Sequence, residues 1–129
     1  MSTATTQGVR VDVQTTWVPE RSDTTRSVYF FAYQVTITNT SMEVVQLKTR
    51  HWIIEDGNGH TEHVRGPGVI GETPILMPGQ RFTYTSFCPL PTPVGTMRGT
   101  YQMIYRERPD EGFDAEIAPF TLVVPAMLN

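Results

Sequence analysis

The chain has 129 residues, a formal net charge of −3 and one cysteine, Cys88. This length predicts a single domain with a hydrophobic core, and the mild charge does not favour a polyanionic partner. The single cysteine excludes an internal disulfide framework. No apolar run approaches the roughly 20 residues of a membrane-spanning helix, and the start shows no secretory leader pattern. We therefore expect a cytoplasmic protein without membrane insertion.

Regular alternation of apolar and polar residues begins at Val9 and predicts half-buried strands. Residues 1–8 are expected to be a flexible tail, because they are polar and terminal. The first strand alternates along VRVDVQTTWV and the second along VYFFAYQVTITNT, with a polar, turn-rich segment between them. The residues predicted to face inward on these strands are Val9, Val11, Val13, Thr15, Trp17, Tyr29, Phe31, Tyr33, Val35 and Ile37.

The third predicted strand, VVQLKTRHWIIED, changes its buried face part-way along. Its inward residues shift from Val45 and Leu47 to Trp52 and Ile54, which indicates a β-bulge. The following EDGNGH is typical of a hairpin turn, because glycine and asparagine tolerate positive φ angles. A short strand, HTEHV, follows the turn and leads into a glycine-rich loop.

The rest of the chain alternates again, in RFTYTSF, TMRGTYQMIYR and FDAEIAPFTLVV. The segment CPLPTPVG contains three prolines and is excluded as a central strand. RPDEG is predicted to be a turn. About seven to eight short strands without helical periodicity predict an all-β antiparallel sandwich or barrel over residues 9–124, with a C-terminal tail at 125–129. Trp17 and Trp52 are the expected core anchors.

The segment RGPGVIGETP, residues 65–74, contains the GxGxxG pattern of dinucleotide-binding loops. In that motif a strand precedes the glycines and a helix begins at the third one, so that its N-terminus faces the pyrophosphate. Pro74, Pro78 and Gly79 exclude such a helix here. Two interpretations stay open. One is a backbone nest that binds an anion beside Arg65; the other, which the sequence favours, is a structural crossover between two sheets.

Four segments, RHWIIEDGNG, VRGPGVIGETP, PGQRFTYTS and MRGTYQM, closely resemble the bacterial ApaG proteins, and the resemblance runs from about Val9 to Val124. It implies a fibronectin-type-III-like, immunoglobulin-like β-sandwich. Similar domains occur in some eukaryotic F-box proteins and in a protein that interacts with DNA polymerase delta, which implies a protein-interaction module. The bacterial proteins have been linked to cobalt and magnesium efflux and to the gene neighbourhood of a diadenosine tetraphosphate hydrolase. Those links are associations and give no mechanism.

Three histidines, His51, His60 and His63, are candidate metal ligands. His60 and His63 are three residues apart and face opposite sides of a regular strand, so a tetrahedral site would need a distorted hairpin. We expect no cofactor and no firm metal site; His60 and His63 are weak candidates, and the sequence leaves open whether the three histidines converge. Cys88 precedes a proline and has no helix N-terminus to lower its pKa, so it is expected to be a structural thiol.

A platform for single-stranded nucleic acid combines stacking aromatic groups with positive charge on one surface. In RGTYQMIYRER, Tyr101 and Tyr105 share one strand face, whereas Arg98, Arg106 and Arg108 are expected on the other. Acidic neighbours also cancel the positive charge. We therefore expect no nucleic-acid partner.

No catalytic set is apparent in the sequence, so the leading hypothesis is a non-catalytic protein-interaction module with an unknown partner, which binds through an edge strand or an apolar loop. A homodimer formed through an edge stays open. One alternative is a phosphate- or divalent-cation-responsive protein in cation efflux or homeostasis; another is an enzyme or binder of nucleotide polyphosphates. The residues assigned to the binding loop are Arg65, Gly66, Gly68, Val69, Ile70 and Gly71.

Overall fold

The computed structural model describes residues 1–128 and consists of two antiparallel β-sheets packed face to face. The nine strands of the described residues are β1 (Ser2–Thr6), β2 (Val9–Trp17), β3 (Tyr29–Asn39), β4 (Val45–Asp56), β5 (Thr61–Pro67), β6 (Ile75–Leu76), β7 (Arg81–Leu90), β8 (Val94–Tyr105) and β9 (Arg108–Val123). Short 3₁₀ turns lie at Pro19–Arg21, Thr24–Arg26 and Pro125–Leu128.

One sheet has the strand order β1-β2-β3-β7, and the other has the order β5-β4-β8-β9, with β6 paired to β4. The predicted all-β antiparallel sandwich is confirmed, with β6 and β1 as strands beyond the predicted ones. Over residues 1–128, no helix is long and apolar enough to cross a membrane.

The alternation of the sequence determines which residues form the core. Every second residue of β2 and β3 is buried from Val9 to Val13 and from Phe31 to Ile37. Trp52 lies at the centre, only 3% exposed, and its ring meets Tyr33, Tyr101 and Phe120 edge-on at centroid distances of 5.3, 6.2 and 5.9 Å. Trp17 packs against the margin of this core and is partly exposed.

The predicted β-bulge and hairpin of β4 are both confirmed. The register of β4 against β8 shifts between Leu47 and Thr49, which changes the buried face as the sequence indicates. Two backbone hydrogen bonds close the turn after β4: the Asp56 N–H donates to the His60 carbonyl at 3.0 Å, and the Gly59 N–H donates to the Asp56 carbonyl at 3.1 Å. The Asp56 carboxylate also accepts the backbone N–H groups of Asn58 and His60, so it holds the turn in place.

Two local predictions are corrected. Residues 1–8 are not a tail, because Ser2–Thr6 pairs with β2 through a tight turn in which Gln7 and Gly8 have φ angles of 50° and 79°. A two-residue turn of this kind matches strand twist. The predicted turn at RPDEG is also wrong, because this segment begins β9. The register of β9 against β8 shifts between Ile104 and Tyr105, so the segment forms a bulge there. Of the expected tail at 125–129, Asn129 lies outside the described residues.

The two long sides of the sandwich differ. On one side β9 packs against β1 and β2, and the backbone N–H of Glu116 donates to Thr6 Oγ1 at 3.0 Å. On the other side β5 ends one sheet and β7 ends the other. No strand joins these two edges within residues 1–128, so the interior is accessible between them.

Candidate functional site

The open side forms a cleft between the inward faces of β4, β5 and β7, which we call the lateral cleft. Its larger chamber has a volume of about 500 Å³. A smaller chamber of about 260 Å³ lies beneath the glycine loop, defined here as Gly68–Glu72. Four residues line both chambers: Tyr33, Arg50, Trp52 and Ser86. Further side chains of the larger chamber are Ile54, Asp56, His60, Glu62, Val64, Cys88, Leu90 and Met97.

Arg50 occupies the junction of the two chambers. It faces inward on β4 directly opposite Gly66 of β5, and its guanidinium lies over this glycine. A Cβ atom at Gly66 would lie only 3.0 Å from Arg50 Nη2, so a larger residue there would displace the guanidinium. Arg50 Nη1 donates to the carbonyl oxygens of Pro67 and Gly68, both at 2.9 Å. The glycine motif thus positions an arginine.

The Arg50 guanidinium has no carboxylate partner within residues 1–128, where the ion pairs are formed by Arg10, Arg26 and Arg108. The Nη2 and Nε atoms of Arg50 donate no hydrogen bond within residues 1–128. A partly buried, unpaired guanidinium held in a fixed orientation is suited to bidentate contact with a carboxylate or phosphate.

Buried hydroxyl groups surround this charge. Burial raises the pKa of Tyr33, and the charge of Arg50 opposes that shift. The hydroxyl groups of Tyr84 and Tyr101 are hydrogen-bonded at 2.5 Å, and burial raises the pKa of both. All three phenols are therefore neutral at physiological pH. Tyr33 and Tyr84 line the cleft and offer it uncharged hydrogen-bonding groups, whereas Tyr101 lies behind Tyr84 in the core.

Cys88 lines the larger chamber and is 4% exposed. Burial, followed by the negative charge of Glu62, raises the pKa of its thiol to about 11. A thiol protonated at neutral pH is a poor nucleophile. This agrees with the structural role expected for Cys88.

The glycine loop is a tight hairpin turn and not an extended anion cradle. The favoured prediction of a crossover between two sheets is also wrong, because β5 and β6 on either side of the loop both pair with β4. Val69 and Glu72 exchange two backbone hydrogen bonds of 2.8 and 2.9 Å, and the N–H of Gly68 donates to the Lys48 carbonyl at 2.9 Å. Three N–H groups that a phosphate would need are therefore already bonded. The turn residues Ile70 and Gly71 have φ angles of 43° and 79°, which is an unfavourable backbone conformation for a β-branched isoleucine.

The structure separates the residues assigned to the binding loop. Arg65 lies in β5 and pairs with His51 on the outer face of the sheet, away from the cleft. Val69 is 1% exposed and belongs to the core, and it lines the smaller chamber from its buried side. Ile70 is 58% exposed and lines the same chamber together with Gly71. Of the assigned residues, Val69, Ile70 and Gly71 therefore border the cleft.

The three histidines do not converge. His51 Nε2 and His63 Nδ1 are 2.9 Å apart on the outer face, whereas His60 lines the lateral cleft. Partial burial, then the charges of Arg65 and His63, lower the pKa of His51. Over residues 1–128, no group of three or more histidine, cysteine or carboxylate side chains is arranged to hold a metal ion.

The tyrosines and arginines of RGTYQMIYRER are predicted to lie on opposite strand faces. This is confirmed for Tyr101, which is buried, but it is wrong for Tyr105 at the end of β8. Arg108 follows the turn into β9 and lies over the Tyr105 ring at 4.5 Å. Its guanidinium is paired with Glu43 at 2.9 Å and with Glu111, and these hydrogen bonds raise its pKa. Arg108 is thus held in a local ion-pair cluster.

Arg50 is absent from the predicted site residues, although the sequence carries a signal for it. Trp52 and Ile54 were predicted to face inward, and alternation places Arg50, two residues before Trp52, on the same face. An arginine on an otherwise apolar strand face indicates either a buried ion pair or a binding group. By the same two-residue alternation, Ser86 lies on the inward face of β7 together with Tyr84.

Comparison with known proteins extends these observations. A family model described as "ApaG domain" matches residues 19–105. The chain belongs to the ApaG family. "Protein ApaG" of Anaeromyxobacter dehalogenans (strain 2CP-C) is 53% identical over 129 residues, which are 100% of both chains. "Protein ApaG" of Methylobacterium sp. (strain 4-46) is 51% identical over 125 residues, or 97% of this chain and 95% of that one.

The ApaG-type sandwich also has a solved counterpart. The crystal structure of the provisionally named ApaA protein of Bordetella pertussis matches with a TM-score of 0.87 and 49% sequence identity. The match covers 91% of this chain and 94% of the other. The resemblance to the ApaG family stated from the sequence is thereby confirmed.

Proposed function

We propose that this chain is a non-catalytic protein-interaction module, and that the lateral cleft binds an extended segment of a partner protein. The observation that carries the proposal is the asymmetry of the sandwich, which is closed by β9 against β1 and β2 and open between β5 and β7. A segment entering this side would meet two strand edges and an apolar floor that includes Trp52, Val64 and Met97. Extended peptides bind folded domains by adding to such edges.

The dimensions of the cleft suit this occupant. Binding pockets for compact ligands measure about 300–1,000 Å³, and the larger chamber, at about 500 Å³, falls in that range. The chamber is long because it follows four inward positions of β4, from Arg50 to Asp56. A strand-like segment fills such a shape with every second side chain pointing inward.

The chemistry of the cleft supports binding without catalysis. The thiol of Cys88, with its raised pKa, is protonated at neutral pH, and the buried phenols are neutral. His60 lines the cleft while His51 and His63 face the other side of the sheet. These groups can contact a ligand and exclude water from it, but none of them is an activated nucleophile.

The test is a selection of random peptides displayed on phage against the folded domain, followed by NMR amide titration of the enriched sequences. We expect saturable shifts in β5, in β7 and at the Trp52 indole N–H. The variant Val64→Arg should abolish binding by filling the cleft. Its matched control, Ile53→Arg, changes the outer face of the same sheet, so it should bind as the parent does.

Three results would overturn the proposal. One is a selection that yields no saturable binder; another is a set of shifts confined to the outer faces of the sheets. The third comes from control titrations with pyrophosphate, diadenosine tetraphosphate, Mg²⁺ and Co²⁺. Micromolar binding of one of these at Gly68–Glu72 or at His60 and His63 would favour a phosphate- or cation-responsive protein instead.

A further inference from the structure

We propose that the lateral cleft selects segments with an acidic, an apolar and a basic side chain at three successive alternate positions. The acidic group would contact Arg50, the apolar group would enter the larger chamber beside Trp52, and the basic group would contact Glu62. This inference rests on the proposed function, because it specifies the ligand of the same cleft.

The spacing follows from the register of β4 and β5. Arg50 lies opposite Gly66, Trp52 opposite Val64, and Ile54 opposite Glu62, with all six positions on the inward face. Residues two apart on a strand are separated by about 6.6 Å, so the row from Arg50 to Glu62 extends about 13 Å. An extended ligand has the same two-residue period, and its alternate side chains therefore match the three levels of the cleft.

The two ends of this row carry opposite charges. Arg50 has no carboxylate partner within residues 1–128, and Nη1 alone is occupied, by the two loop carbonyls. Glu62 is exposed and likewise forms no ion pair there. Its charge acts inside the cleft, since it contributes to the raised pKa of the Cys88 thiol. Asp56 adds negative charge at the same end.

The middle of the row is apolar. Trp52, Val64, Cys88, Leu90 and Met97 line the larger chamber between the charged ends. A leucine or phenylalanine side chain of the ligand would be removed from water there, and burial of apolar surface favours binding. Affinity would therefore come chiefly from the central group, whereas the terminal charges would determine which segments bind and in which direction.

The experiment uses capped seven-residue peptides in which threonine fills the odd positions. The second, fourth and sixth positions carry glutamate, leucine and lysine in one peptide and lysine, leucine and glutamate in the other. In a control peptide each charge moves by one residue, which turns both charges away from the cleft. We expect one of the two orders to bind at least about tenfold tighter than the control by isothermal titration calorimetry. The inference would be overturned if both charge orders bound with the same affinity as the control peptide.

Charge exchange gives a second readout that does not depend on Arg50, whose loss could disturb the glycine loop. Glu62→Lys is an exposed substitution and should weaken binding of the preferred peptide by about fivefold. The Glu62→Lys variant should regain affinity when the lysine of the preferred peptide is replaced by glutamate. Arg65→Gln, on the outer face of the same strand, is the matched control and should change neither affinity. Failure of the exchange would contradict the charge assignment.

The failure of this inference is distinguishable from that of the proposed function. If the displayed-peptide selection yields ligands that shift the Trp52 indole N–H but show no dependence on charge order or on Glu62, the interaction module stands and the charge assignment is wrong. If neither selected nor designed peptides shift resonances of the cleft, both are wrong.

Discussion

The two long sides of the sandwich have the same kind of border, a sheet edge above a sheet edge, yet one is closed and the other is open. On the closed side β1 carries short Ser and Thr side chains, and Thr6 bonds directly to the backbone of β9. On the open side β5 and β4 point Glu62 and Arg50 inward. These charged groups need water or a partner of opposite charge, so they oppose closure of this side by direct packing of β5 against β7. The same residues that keep this side open are therefore the ones available to a ligand.

The largest effect expected on stability comes from removing the floor of the open side. Trp52→Ala should lower the free energy of unfolding by about 3–5 kcal/mol, because a buried indole is lost and a cavity is left. Trp17→Ala, at the partly exposed margin, should cost only about 1–2 kcal/mol. Urea denaturation followed by far-UV circular dichroism measures both values. Equal losses would show that Trp52 is not the central anchor.

The second test measures whether water is excluded from the larger chamber on the open side. The Cys88 thiol should titrate with a pKa of about 11, seen as thiolate absorbance that Cys88→Ser removes. The unfolded chain loses this proton near the ordinary value of 9.0, while the folded chain retains it. The contribution of Cys88 to the free energy of unfolding, measured as the difference between the parent and Cys88→Ser, should therefore be constant below pH 9 and fall between pH 9 and 11. A thiol that titrates near 9 would mean that water fills the larger chamber.

The smallest effect concerns the loop that borders the open side. Ile70 is a β-branched residue at a φ of 43°, and asparagine tolerates this conformation far better. Ile70→Asn should raise the free energy of unfolding by about 1 kcal/mol. Ile75→Asn is the control, since Ile75 is also exposed but has no positive φ. Destabilisation by Ile70→Asn would show that its side chain packs against the loop.

Part of the candidate site followed from the sequence, and part did not. The sequence excluded a dinucleotide motif at RGPGVIGETP, and the structure likewise shows a tight turn there. It also placed Arg65 in the loop, whereas the strand continues to Pro67 and turns Arg65 to the outer face. The arginine at the loop is Arg50, which lies 17 and 18 residues before the two carbonyl groups it contacts and reaches the glycines only through the pairing of β4 with β5.

The sequence pattern by itself predicted an antiparallel sandwich or barrel of short strands, because apolar alternation, turn residues and a bulge are local properties that each strand carries independently. The family resemblance is what favoured the sandwich. The alternation identified the buried faces of β2 and β3, and the glycine and asparagine residues identified the turn after β4. Tertiary structure alone decided which edges meet, that Arg50 has no carboxylate partner within residues 1–128, and that His51 meets His63 while His60 faces the cleft. Those outcomes depend on contacts between residues distant in the chain, and a strand's own period contains no information about its neighbour across the sandwich.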